Sequence, residues 1–193
     1  MCWRMGKVSE SNGLLGKRIH SSRVPMKELK KILDKIYQPA GLHIHNFETE
    51  SESQDYGACR FRLDGQMIVF RIAKTTPKKV GQFVVLWKRA TSGVIEPFDV
   101  KDPVDFFVVA VHTPRHTGQF VFPKDILYEK GILQGGDSEG KRAIRVYSAW
   151  DMTTSRQAKN TQAWQLDYFF ELTENQEENI FNIQKRYTND KKF

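Results

Sequence analysis

Before residue 40, apolar positions recur at helical spacing in one place. Leu29, Ile32, Leu33 and Ile36 fall at i, i+3, i+4 and i+7 and form one stripe. Pro25 stands where a helix opens, because its missing N–H would have no intrahelical partner there. Gln38-Pro39-Ala40-Gly41 ends the helix. From residue 42 the period drops to two. Residues 42–50 predict a strand with Leu42, Ile44 and Phe47 inward, passing into the acidic, polar run Glu48–Asp55. Tyr56–Leu63 and Met67–Lys74 predict a hairpin closed by Asp64-Gly65, a favoured turn dipeptide. Gly81–Arg89 reads as a further strand. Val104–Val111 is the most apolar stretch and lacks alternation, which suits a central strand covered on both faces. Gly118–Pro123 and Lys141–Tyr147 read as strands, with a short helix at Lys124–Lys130 and a polar, Gly-rich loop at Gln134–Gly140 between them. From Thr154 to about Leu172 helix is favoured over strand. Asn175–Lys185 predicts a second helix anchored by Ile180 and Ile183.

These elements add up to one α/β or α+β domain with a mixed sheet flanked by helices. It is expected to span residues 23–187, with a flexible leader at 1–22 and a loose tail at 188–193. A chain of 193 residues is long enough to bury a real core. No apolar run approaches the ~20 residues needed to cross a bilayer, and the opening MCWRMGKVSESNG has no apolar h-region. Two cysteines, Cys2 and Cys59, make no disulfide framework. A cytoplasmic protein without a membrane partner is expected.

Charge changes the picture. Arg60, Arg62, Arg71, Lys74, Lys78, Lys79, Lys88 and Arg89 face a single acid, Asp64, within residues 60–89. That surplus equals the formal net charge of the whole chain, +7. A basic surplus confined to one segment is the footprint of a polyanion partner, most often nucleic acid. The alternative is a pair of solvated strands whose Lys and Arg only guard sheet edges. A second basic strand places Lys141, Arg145 and Tyr147 on one face and Arg142 on the other, with Trp150 just beyond. Charge beside stacking surface suits phosphates and unstacked bases; an Arg packed on an aromatic ring is the competing reading. Trp87 and Trp164 sit among apolar neighbours and read as core. No zinc spacing, phosphate loop or nucleophile elbow appears.

The segments FRIAKTTPKKVGQFVVLWKR, GQFVFPKDIL, GKRAIRVYSAWD and AKNTQAWQLDYFF resemble the MepB-like proteins, over roughly residues 26–170. The resemblance implies an architecture similar to the restriction-endonuclease-like, PD-(D/E)XK nucleases. In active members of that class an acid stands two residues before a lysine. The triplet here is Ile72-Ala73-Lys74: the lysine matches and the acid does not. The expectation is a nucleic-acid-binding protein, with DNA the favoured partner, on an endonuclease-like fold whose cutting centre is degraded. Arg71, Lys74, Lys78, Lys79, Gln82, Lys88, Arg89, Lys141, Arg142 and Arg145 would make the polar contacts, and Tyr147 and Trp150 would stack. No cofactor, metal or catalytic residue is expected. One alternative is a magnesium-dependent nuclease in which Glu50, Glu52 or Asp55 serves Lys74 from a neighbouring strand. Another is a module that holds a nucleotide or other anion near Lys74 and Arg145.

Overall fold

The computed structural model describes residues 23–173 and 177–189; the expected leader and residues 190–193 of the tail lie outside them. Helix α1 (Arg23–Ile32) runs on into one π-helical turn, Leu33–Tyr37. The predicted stripe is the buried face: Leu29, Ile32 and Ile36 are sealed, and Leu33 packs against the same cluster. The wider π turn brings Tyr37 inward beside Ile36.

Strands β1 (Ile44–Thr49), β2 (Cys59–Leu63) and β3 (Gln66–Ile72) form an antiparallel meander. Asp64 (φ 46°) and Gly65 (φ 91°) make the β2–β3 turn, with both central residues left-handed as a tight hairpin requires. The β1–β2 pairing slips between His45 and Glu48, where Asn46 adopts φ 50°; this is a bulge. After Ala73 the chain leaves the main sheet. Strands β4 (Lys74–Thr76) and β5 (Lys79–Val85) pair with each other. Strands β6 (Trp87–Arg89) and β7 (Ile95–Pro97) form a separate hairpin. Strand β8 (Phe106–His112) returns to the main sheet parallel to β3, and β9 (Thr117–Pro123) follows antiparallel. Helix α2 (Lys124–Glu129) and a minimal hairpin, β10 (Gln134–Gly135) with β11 (Ser138–Glu139), lead to β12 (Ala143–Val146), which pairs with β5. Helix α3 (Arg156–Leu166), strand β13 (Phe169–Glu171) and helix α4 (Glu177–Asn189) complete the chain.

The main sheet has the order β1-β2-β3-β8-β9-β13, and a three-stranded sheet has the order β12-β5-β4. The fold is thus a mixed α+β domain with a mixed central sheet flanked by helices. Alternate residues of β8 feed two cores. Phe106, Val108 and Ala110 meet α1 and Ile183 and Tyr187 of α4. Phe107, Val109 and Val111 meet Val84, Phe98 and Leu127 on the other side. Burial on both faces explains the unbroken apolar run.

Several expectations differ. Phe47, expected inward, is exposed on β1 because the bulge at Asn46 shifts the alternation, and Tyr56 lies in a short 3-10 turn before β2. Lys74 does not end β3, because the chain crosses at Ala73 into the smaller sheet. Gly81–Arg89 is split at buried Leu86: its N–H still donates to Arg142 O, the next rung of the β5–β12 ladder, and from Trp87 onward the chain pairs with β7 instead. The predicted long helix ends at Leu166, and Phe169–Glu171 is an edge strand on β9.

Candidate functional site

A groove of about 680 Å³ lies between the three-stranded sheet and α3. Its cations are Lys78 from the β4–β5 turn, Lys79 at the start of β5, Lys130 after α2, Lys141 before β12, and Arg145 on β12. No acid is among its lining residues. The α3 side supplies neutral polar groups from Thr153, Thr154, Ser155, Gln157 and Thr161, and two aromatic rings, Tyr147 and Trp164, complete the lining.

The local architecture follows from a few side chains. Gln165 is buried and ties α3 to the open edge of β12: it accepts from Tyr147 N (2.8 Å) and donates to Arg145 O (3.1 Å). It does for that edge what a further strand would do. Gln162 holds the preceding loop, donating to Ser148 O and Asp151 O (2.8 Å each). Ser155 caps α3 by accepting from Ala158 N (3.1 Å). Arg145 spreads its fork over the β4–β5 turn, donating to Gly81 O and Thr76 Oγ1 (2.9 Å each) and more weakly to Val80 O (3.3 Å). It therefore shapes the turn that carries Lys78 and leads into Lys79. Gly81 (φ 76°) has no room for a side chain: a Cβ there would stand 2.5 Å from Tyr147 Cδ1. Tyr147 is seated directly on this backbone.

The groove thus gathers Lys78, Lys79, Lys141, Arg145 and Tyr147 from among the residues expected to form the site. The others lie elsewhere. Arg71 is 0% exposed and paired with Glu50, which also binds Arg60. Phe98 lies under both guanidinium groups, at 5.4 Å from Arg60 and 5.9 Å from Arg71. Burial pulls the Arg71 guanidinium below its ordinary pKa, and the Glu50 charge opposes that shift. Sealed in this way, Arg71 cannot touch a phosphate. Gln82 is also buried, donating to His112 O (2.8 Å). Lys88 is held by Asp102 (2.5 Å) and Glu96 (3.5 Å), and Arg89 by Glu52 (2.7 Å). The hydrogen bond from Arg89 lowers the Glu52 carboxyl pKa. Arg142 is exposed and reaches Ile95 O (3.3 Å). Trp150 stacks on His116 (5.0 Å) away from the groove. Lys74 stands over the Tyr56 ring (4.7 Å), 3.7 Å from Asp55.

Lys130 and Trp164 were missed. Trp164 packs against Phe122 (5.5 Å), as its apolar neighbours suggest, yet it also lines the groove, and Lys130 Nζ lies 5.7 Å from its ring centre. No local signal in the sequence marks either residue. Of the acids considered for a metal, Glu50 and Glu52 are engaged by arginines and Asp55 is 89% exposed beside Lys74. Among the described residues no three His, Cys, Asp or Glu side chains converge as metal ligands do.

Together these features define a mixed α+β domain with a basic, aromatic-lined groove beside its secondary sheet. The MepB-like family matches residues 50–171, and the chain belongs to that family. A solved structure described as the crystal structure of MepB is 30% identical, with a TM-score of 0.68, over 80% of this chain and 100% of that one. A bacterial homing endonuclease structure overlaps 71% of this chain and 84% of its own, at 14% identity and a TM-score of 0.39; nothing about this chain follows from an overlap that loose. No curated protein matches the chain. Among the described residues no helix is long and apolar enough to cross a membrane.

Proposed function

We propose that this protein is a cytoplasmic nucleic-acid-binding protein, with DNA the first partner to test, and that it grips the sugar–phosphate backbone without cutting it. The observation that carries the reading is the groove's lining of Lys78, Lys79, Lys130, Lys141 and Arg145 without an acid. A concave surface of one sign focuses potential on a polyanion. An endonuclease-like ancestry is supported by the chain order of a helix, the β1–β3 meander and the parallel strand β8. The reading of a degraded cutting centre is supported by three features. Ile72 stands where the acid is needed, Lys74 lies in the smaller sheet, and Glu50 is engaged by Arg60 and Arg71. A lysine alone neither holds a divalent cation nor lowers the pKa of water as one does.

A titration against salt tests this reading, with DNA duplex, single-stranded DNA and RNA, each with and without magnesium. Affinity should fall steeply with salt. Changing Lys78 and Lys79 to Glu should weaken every sequence alike, reducing the log–log slope by ~0.7–0.9 per lost phosphate contact. Absence of binding at low salt sinks the proposal. Magnesium-dependent cleavage that is lost on Lys74→Ala would replace it with the nuclease alternative.

A further inference from the structure

We propose that the groove holds a single strand and stacks its bases on Tyr147 and Trp164, so that single-stranded nucleic acid is preferred over duplex. This inference rests on the reading of the groove as a nucleic-acid site.

Three observations carry it. First, the cations line the inside of a concavity of about 680 Å³. That volume lies in the range of small-ligand pockets, ~300–1,000 Å³. A duplex is read by a helix or ribbon that stands out and enters its major groove, whereas α3 forms a wall of the concavity here. Second, two half-buried aromatic rings lie within the same lining. Duplex bases present edges, and only unstacked bases can offer a face to an aromatic ring. Third, both rings are fixed before anything binds. Tyr147 sits on the Gly81 backbone, its own N–H held by Gln165. Trp164 is wedged against Phe122 (5.5 Å) and Tyr168 (6.4 Å). A rigid platform gives up little conformational entropy when a base settles on it. Lys130 Nζ now stands over the Trp164 ring, 5.7 Å from its centre; a base that stacks there takes the place of this cation on the ring, and the flexible lysine swings aside to meet the adjoining phosphate. The neutral side chains of Gln157 and Thr161 line the groove with them and offer donors and acceptors to base edges.

The test compares four ligands at one salt concentration: a mixed-sequence DNA strand of roughly 12 nucleotides, inside the ~4–16 span common for such sites; the same strand as RNA; the blunt DNA duplex; and a DNA strand of equal length with abasic sites in place of bases. The normal strand should bind about tenfold or more tightly than either the duplex or the abasic strand, which keeps the charge and lacks the stacking faces. Tyr147→Leu, which removes a stacking face, should weaken the normal strand about 5- to 150-fold; Trp164→Phe, which keeps a smaller face, should weaken it less; both should leave the abasic strand unchanged. The RNA arm identifies which single strand is favoured. Equal affinity for abasic and normal strands overturns the inference, as does duplex binding as tight as single-strand binding; either result leaves the basic groove standing as a nucleic-acid site. Binding to none of the four removes both. The abasic comparison uses the unaltered protein, so misfolding of a Trp164 variant cannot mask the result.

Discussion

Arg71 carries a charge on a strand that otherwise contributes only apolar side chains to its two cores, and it does so out of reach of water. A buried guanidinium persists because its partner is fixed: Glu50 binds Arg71 and Arg60 together, over the Phe98 ring. Removing one partner leaves an uncompensated buried charge, whereas an exposed pair contributes little. Glu50→Ala should therefore lower stability by about 3–5 kcal/mol. Glu52→Ala, which frees exposed Arg89, should stay within about 1 kcal/mol. Urea denaturation of the two variants measures the contrast; equal losses would mean that burial of the Glu50 cluster is energetically unimportant. The same cluster disposes of two residues, Arg71 and Glu50, that look surface-directed when the chain is read by period alone. A period of two assigns Arg71 to a face and cannot say whether that face is covered.

Helix α3 shows how much of the groove depends on one docking contact between elements. Gln165→Leu keeps the bulk but leaves Tyr147 N and Arg145 O without the side chain that satisfies them. It should cost about 1–3 kcal/mol of stability. It should also weaken nucleic-acid binding without changing the salt slope, since no cation is lost. Denaturation and a salt titration on the same variant check both halves; a reduced slope would mean that the change acts on charge. Elements with strong local signals were legible in the sequence. Asp64-Gly65 fixed the β2–β3 hairpin, Leu29 to Ile36 fixed the buried face of α1, and the apolar run at 104–111 identified β8. Boundaries set by distant partners were not legible. The alternation of β3 continues smoothly through Ala73 to Lys74, and only the pairing of Lys74 with Phe83 reveals the crossing. Strand β13 follows α3 with no Gly or Pro between them, so the local sequence favours helical continuation, and only pairing with β9 makes Phe169–Glu171 a strand. The groove was half legible for the same reason. Its Lys78, Lys79 and Lys141 lie in basic runs, while Lys130 and Trp164 reach it only through the tertiary fold.

Across the whole molecule, charge along the chain and charge in space part company. Of the eight basic residues between 60 and 89, Arg60, Arg71, Lys74, Lys88 and Arg89 meet acids that lie outside that segment. The groove owes its potential to Lys78 and Lys79 joined by later residues. The two ends of the described chain are joined on the opposite face of the sheet. There Tyr37 donates to Gln119 Oε1 (3.1 Å), and the Tyr187 hydroxyl lies 3.2 Å from that of Tyr37. Burial raises both tyrosine pKa values above the ordinary one. The folded values exceed the unfolded value of ~10, so this contribution is complete below about pH 10 and is lost as pH rises through the folded values. Thermal melts should hold steady from about pH 7 to 9 and fall above about 10. Tyr37→Phe should lower the neutral melting temperature and flatten that alkaline fall; an unchanged fall would place its origin elsewhere. At the far side of the main sheet, β1 is an edge strand with five exposed positions, the kind of border along which a second molecule can extend a sheet. The slip at Asn46 puts the outward donors and acceptors of β1 out of step with any straight incoming strand. Copies of the protein that meet along this border would therefore resist zippering into fibrils.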